Sequence, residues 1–166
     1  MKRIIIAAAS ALLLVGCGTQ ETFETVDDTL VQPVLAPMQQ VQISLPKDAA
    51  MPTMDNGENG KIYLCDGYTV TVQTFSGGDL NETLLQVTGF SRESLTMMET
   101  RQGETVRYDC SWSAMGEGEN QVCRCAILDD GIYHYVVTVM APESQAGTLQ
   151  ESWQNMLSSI TLLNTD

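Results

Sequence analysis

The chain has 166 residues, with eight Lys and Arg against 21 Asp and Glu, so its formal net charge is −13 at pH 7. Nucleic acid and anionic lipid headgroups both favour clusters of basic residues, so this charge balance makes them poor partners. The length is that of one domain with a leader or tether.

The first 16 residues have the pattern of a secretory signal peptide. Two basic residues precede an apolar run that extends to Val15, and this run is too short for a permanent membrane-spanning helix. The sequence LVGC at positions 14–17 resembles the lipobox of bacterial lipoproteins, whose cysteine is lipidated before cleavage. The resemblance implies that residues 1–16 are a lipoprotein signal peptide and that Cys17 becomes the lipidated first residue.

Acyl chains such as palmitate on Cys17 would hold the protein at a membrane, because each buried methylene contributes about 0.8 kcal/mol. We predict no cofactor besides this covalent lipid. The expected location is the extracytoplasmic face of the bacterial cell envelope. Removing residues 1–16 takes away two basic residues and no acidic one, so the net charge falls from −13 to −15.

Residues 17–40 are predicted to form a flexible, lipid-anchored tether. From position 18 the segment has no Lys or Arg, four acidic residues and two prolines, and it shows no sustained helical or strand period. Residues 41–166 are predicted to form a single domain. Its first segment, VQISLP, alternates apolar and polar residues as a short strand does, and Asp66-Gly67 joins two further strands as a hairpin turn.

One helix and a meander of four strands are expected to follow. Asp79 is placed to cap a helix that ends at Gly89. Residues 94–142 then contain four strand patterns separated by tight turns. In the strand from Thr105 to Ala114, period two places Cys110 on an apolar face, and the opposite face carries polar residues. Those polar positions are Thr105, Arg107, Asp109, Ser111 and Ser113.

The chain finishes with an amphipathic helix pattern that predicts a helix packed on the sheet. Thr148 to Glu151 reads as a capping box, and apolar residues from Leu149 to Ile160 follow at helical spacing. The stretch YHYVVTVMAPESQAGTLQESWQNMLSSITL resembles the closing strand and helix of PsbP-like and DcrB-like proteins. That resemblance covers residues 41–163 and implies an α+β fold, an antiparallel meander flanked by two or more helices in an αβα sandwich. It transfers no functional residue, since the group shares no catalytic residues.

Four cysteines remain in the predicted mature domain, and an even number in an exported chain favours disulfides. They are Cys65, Cys110, Cys123 and Cys125. A hairpin centred near position 117 places Cys110 roughly opposite Cys123 or Cys125. We therefore expect Cys110 to bond to one of these two and Cys65 to the other, with the pairing undecided.

Two other interpretations of the cysteines stay open at this stage. The four thiols, or three of them with His134, could supply a tetrahedral zinc site, although Cys-x-Cys is an uncommon chelate. A redox pair is the other, although the Cys-x-x-Cys motif at a helix N-terminus is absent. His134 is the chain's one histidine and lies in a strand pattern, where a packing role is the common one.

The sequence therefore predicts a lipid-anchored, non-catalytic binding or accessory module and no enzyme. Its partners would be the membrane, through the lipid, and an unidentified protein or small ligand, with no nucleic acid. The alternative is a thiol-redox or metal-binding protein that uses the four cysteines with His134. A small-ligand site between the sheet and a helix is a further expectation.

Overall fold

The computed structural model describes residues 36–49, 52–55, 60–116 and 118–163. The chain divides into two units, Met1–Val34 and Leu35–Asp166, and the first lies outside the described residues. The predicted signal peptide, Cys17 and most of the predicted tether therefore lie outside them as well. Among the described helices, none is long and apolar enough to cross a membrane.

Nine strands are present in the described part of the chain. They are β1 (Gln40–Gln42), β2 (Met54–Asp55), β3 (Lys61–Cys65), β4 (Tyr68–Ser76), β5 (Met97–Gln102), β6 (Thr105–Met115), β7 (Asn120–Asp129), β8 (Tyr133–Pro142) and β9 (Thr161–Leu163). Seven of them form an antiparallel sheet in the order β2-β3-β4-β8-β7-β6-β5, and β1 pairs with β9. The consecutive pairing from β5 to β8 confirms the predicted meander. The predicted hairpin forms at Asp66-Gly67, where Cys65 pairs with Tyr68 and Gly67 has φ +78°.

Helix α1 (Leu80–Thr88) connects β4 to the meander and has the predicted caps. The Asp79 carboxylate accepts a hydrogen bond from the amide of Asn81 at 2.9 Å. Gly89 ends the helix in the left-handed region with φ +78°. Local capping chemistry therefore fixes both ends of α1, and Leu80 and Leu84 are left to pack on the sheet.

Helix α2 (Glu143–Ser158) begins earlier than the sequence analysis predicted. It follows β8 directly, with Pro142 at the N-cap position, so Thr148 is an interior residue rather than a cap. The Thr148 hydroxyl donates to the carbonyl of Gln145 at 2.8 Å. The apolar stripe extends back to Ala146, and tertiary packing of that stripe outweighs the local capping signal.

The sheet has a helix on each face, which we call the α1 face and the α2 face. On the α1 face, Leu80 and Leu84 pack with buried residues of β6, β7 and β8. On the α2 face, Trp153, Met156 and Leu157 pack with the alternate residues of β4, β7 and β8. The α+β class, with an antiparallel sheet between helices, is therefore confirmed.

The β1–β9 ribbon brings the first and last described segments together. Gln40 pairs with Leu163, and Val41 pairs with Leu162. Upstream of β1, the carbonyl of Ala36 accepts a hydrogen bond from the Tyr133 hydroxyl at 3.2 Å. Residues 36–40 therefore pack on the domain, although the sequence analysis assigned them to the tether.

Candidate functional site

Three cysteines line one region of the α1 face. Cys110 on β6 lies directly opposite Cys125 on β7, and their Sγ atoms are 3.0 Å apart. This is a hydrogen-bonded thiol pair, since a disulfide would require about 2.05 Å. Two partners for Cys110 were open from the sequence, and the strand register favours Cys125.

The thiol pair is asymmetric. The hydrogen bond from Cys125 lowers the pKa of Cys110, and the same hydrogen bond together with burial raises the pKa of Cys125. Cys110 is 7% exposed and Cys125 is 1% exposed. Cys110 is therefore the thiol that ionises first, but solvent reaches it poorly.

The expected second disulfide, from Cys65 to Cys123 or Cys125, does not fit this fold. Cys65 pairs with Tyr68 and packs in the core of the α2 face, on the opposite side of the sheet. Cys123 faces the α1 side between Trp112 and Met140. It is 2% exposed, and burial raises the pKa of its thiol to about 11. Cys123 is thus an inert core residue at neutral pH.

His134 lies far from the cysteines in a hydrogen-bonded core position. Its Nδ1 is 2.7 Å from the Thr83 hydroxyl, and its Nε2 is 3.7 Å from a carboxylate oxygen of Asp129. Thr138, four residues further along β8, is the residue that pairs with Cys125, so His134 is about 13 Å away along the strand. No group of three or more His, Cys, Asp or Glu within the described ranges has the spacing of a metal site.

The α2 face carries an accessible site. A cavity of about 610 Å³ opens between β5, β6 and β7 and the C-terminal half of α2, within the usual volume range of small-molecule sites. We call it the α2 cavity. Its polar lining residues include Arg107, Asp109, Ser111, Arg124, Gln154 and Ser158, and its apolar ones include Met97, Met98 and Leu157.

Two arginines give the α2 cavity its charge. Arg107 forms a bidentate ion pair with Asp109 at 2.7 and 2.8 Å, so these two charges offset each other. The guanidinium of Arg124 lies 5.9 Å from the ring centroid of Trp153, in cation–π contact. No described residue forms an ion pair or hydrogen bond with the Arg124 side chain.

A second polar cluster ties the β7–β8 turn to the segment before β1. The hydroxyl of Tyr135 donates to Asp130 at 3.0 Å and accepts from the amide of Gln39 at 2.9 Å. Tyr135 is fully buried, and burial, with a smaller effect from Asp130, raises its pKa to about 12. This cluster fixes the path of the chain into β1, next to a cavity of about 510 Å³ lined by residues of β1, β3 and β4.

The sequence led us to expect a small-ligand site between the sheet and a helix and a polar face on β6, but it specified neither the helix nor the other residues that line the α2 cavity. Arg107, Asp109 and Ser111 were placed together on the polar face of β6, as observed. Arg124 was passed over as the residue between two cysteines. On a strand, the residue between the two cysteines of Cys-x-Cys faces the other side of the sheet. Strand alternation could therefore have placed Arg124 opposite the cysteines.

No protein-family model matches this chain, and no curated protein sequence matches it. Among solved structures, a protein from Bacteroides thetaiotaomicron superposes with a TM-score of 0.51 at 13% identity, over 75% of this chain and 45% of the other. This chain therefore spans less than half the length of that protein, and the likeness shows a shared fold alone.

Two further structures are less similar. LpqN, involved in cell envelope biogenesis of Mycobacterium tuberculosis, has a TM-score of 0.48 at 10% identity, over 76% of this chain and 84% of LpqN. The Saccharomyces cerevisiae Ran-binding protein Mog1p has a TM-score of 0.47 at 13% identity, over 75% of this chain and 90% of Mog1p. Membership of the PsbP-like and DcrB-like group stays a prediction.

Proposed function

We propose that this protein is a lipid-anchored, extracytoplasmic binding module that holds a small ligand in the α2 cavity and catalyses no reaction. The observation that carries the proposal is the cavity itself, about 610 Å³ in volume and lined by both polar and apolar side chains. Sites of this size and mixed lining commonly bind small molecules.

The arrangement of reactive side chains favours binding over catalysis. His134 is 1% exposed, and its Nδ1 is hydrogen-bonded to Thr83, which is 3% exposed. A general base must reach a substrate proton within hydrogen-bond distance, and neither side chain is accessible to a substrate. The cysteines of the α1 face are buried as well.

Ligand binding is tested with a matched pair of cavity variants. Ser111 lines the α2 cavity, whereas Ser113, two residues on along the same face of β6, does not. A small-molecule library is screened by thermal shift against the mature chain and against Ser111→Phe and Ser113→Phe. The proposal expects ligands whose stabilisation is lost in Ser111→Phe and kept in Ser113→Phe. Equal responses in both variants would contradict it.

The anchor is tested separately by metabolic labelling with an alkynyl fatty acid in a bacterial host. The proposal predicts label on the wild-type chain and on Cys65→Ser, and none on Cys17→Ser. Cys17→Ser should also shift the protein from the membrane fraction to the soluble one. Label or membrane association that persists in Cys17→Ser would show another attachment.

A second candidate function is thiol–disulfide chemistry at Cys110 and Cys125. The 3.0 Å distance between their Sγ atoms and the lowered pKa of Cys110 favour it. Thiol–disulfide chemistry is nevertheless less favoured than ligand binding. Exchange requires a partner sulfur to reach one of the thiols, and both are buried. Rapid exchange of the native protein with glutathione disulfide would support this function, and exchange only upon unfolding would contradict it.

A further inference from the structure

Resting on the proposed function, we propose that the ligand of the α2 cavity is a small anionic amphiphile. Its carboxylate or phosphate head binds Arg124, and its apolar body lies against Met98 and Leu157. Carboxylate and phosphate heads both present paired oxygen acceptors, which a guanidinium can bind with two parallel hydrogen bonds. Either head group would therefore fit Arg124.

The charge balance of the α2 cavity supports an anion. Asp109 is the acidic residue among those that line it, and both of its oxygens are bonded to Arg107. Among the described residues, no carboxylate forms an ion pair with Arg124. The chain has 21 acidic residues against eight basic ones, so the lack of a described ion-pair partner for a partly buried arginine is informative.

The position of Arg124 leaves its hydrogen-bond donors available. Trp153 contacts its guanidinium through the ring, and an aromatic ring offers no strong acceptor. A guanidinium has five N–H donors in a planar fork. Ser111, the cross-strand neighbour of Arg124, and Gln154 on α2 line the same cavity and add polar groups around a bound head.

The apolar part of the lining fits a hydrocarbon body. Met98 is 63% exposed on β5, and Leu157 closes the cavity from α2. Methionine side chains are flexible and adapt to ligands of different shape. A ligand that covers Met98 would remove apolar surface from water, at about 25 cal/mol for each Å² buried.

The test uses octanoate and octyl phosphate as anionic probes, with 1-octanol as the neutral control of equal chain length and inorganic phosphate as the head alone. Binding is measured by isothermal titration calorimetry at low salt on the mature chain from residue 17, with Cys17→Ser so that no lipid is attached. Arg124→Gln is compared with Arg101→Gln, which removes the same charge from an exposed residue of β5 outside the cavity.

The proposal expects octanoate or octyl phosphate to bind more tightly than 1-octanol. Loss of hydrogen bonds to a charged group should weaken that binding at least about tenfold in Arg124→Gln, and less than about twofold in Arg101→Gln. Arg124→Lys keeps the charge without the fork and should lie between them. The better of the two probes identifies the head group.

Three results would overturn the anion inference. They are equal binding of the anions to wild type and Arg124→Gln, binding of 1-octanol as tight as that of octanoate, and no binding of either anion. If 1-octanol binds and only Ser111→Phe abolishes its binding, the α2 cavity remains a binding site and the anionic ligand is excluded. The two proposals therefore fail in different ways.

Discussion

The two faces of the sheet differ in what they bury and in what they leave open. The α1 face holds the residue types usually associated with chemistry, a thiol pair and a histidine, and their side chains are buried. The α2 face holds a larger apolar core, yet beside that core it leaves an open cavity lined by arginines, hydroxyls and an amide.

The difference shows that reactive residue types do not by themselves locate a site. Cys125 is 1% exposed and His134 is 1% exposed, and both act as core residues. Arg124 follows Cys123 and precedes Cys125 in sequence, but the strand alternation turns it to the opposite face. The two faces differ in how accessible their polar side chains are to a ligand, and that accessibility depends on where each helix packs.

The largest effect is expected from His134→Ala. It removes a buried ring and leaves the Thr83 hydroxyl without its partner, so we expect unfolding free energy to fall by about 3 kcal/mol. Urea denaturation measures this. Gln154→Ala, in the α2 cavity, is the control and should cost less than about 1 kcal/mol. Similar losses in the two variants would remove the contrast between a sealed face and an open one.

Oxidation of the thiol pair should have a comparable effect of opposite sign. With glutathione disulfide as oxidant, Cys110 and Cys125 would lose their protons and form one S–S bond while the oxidant is reduced to two thiols. A bridge across 15 residues should stabilise the chain by about 3 kcal/mol.

Intact mass and thermal unfolding check this prediction. The oxidised protein should weigh less by two hydrogen atoms. Cys123→Ala should still form the bridge, and Cys110→Ala should not. A bridge that requires Cys123, or a bridge that lowers the melting temperature, would contradict the register described here.

The third effect concerns alkaline pH. The pKa of Tyr135 is raised to about 12 by burial, so the unfolded state loses this proton first as the pH rises. The resulting stabilisation is fully present below about pH 10 and is lost between about pH 10 and 12. The shift corresponds to about 2–3 kcal/mol. Urea unfolding of wild type and Tyr135→Phe across this range should show a shallower decline in the variant. An equally steep loss of unfolding free energy in wild type and Tyr135→Phe would contradict the prediction.

The smallest effect is expected from Asp109→Asn, which preserves shape and releases the Arg107 guanidinium into the α2 cavity. Octanoate should then bind about fivefold more tightly, which corresponds to about 1 kcal/mol for an ion pair of this exposure. Calorimetry measures it, with Asp79→Asn at the α1 cap as the control of equal charge change. Unchanged or weaker binding would place the anion away from Arg107.

Much of the fold could be predicted from local sequence. Strand alternation identified the two faces of β6, Asp66-Gly67 specified a hairpin, and Asp79 with Gly89 specified both ends of α1. Each signal arises within a few residues of the structure that it predicts. The start of α2 was missed because the stripe that continues to Ala146 is stabilised by packing against the sheet, and a capping box at Thr148 was the stronger local signal.

The candidate site could be predicted only in part. The predicted polar face of β6 is confirmed. The cavity, however, also depends on where α2 packs relative to β5, and no local sequence pattern specifies that position. The predicted disulfide from Cys65 to Cys123 or Cys125 was wrong because it, too, depends on the three-dimensional arrangement of the strands. Its thiol faces the α2 side because of the β3–β4 register, whereas the expected partners face the α1 side.

The pairing of β1 with β9 has a consequence for any force that reaches the domain through its N-terminal side. Gln40 and Leu163 are partners in this short ribbon, and the hydrogen bond between Tyr133 and Ala36 lies just upstream. A pull on the chain ahead of residue 36 would load that hydrogen bond and the ribbon before the seven-stranded sheet. A reporter fused after residue 163 would also crowd the entry of the chain into β1, so an insertion at the β6–β7 turn is the better place for a probe.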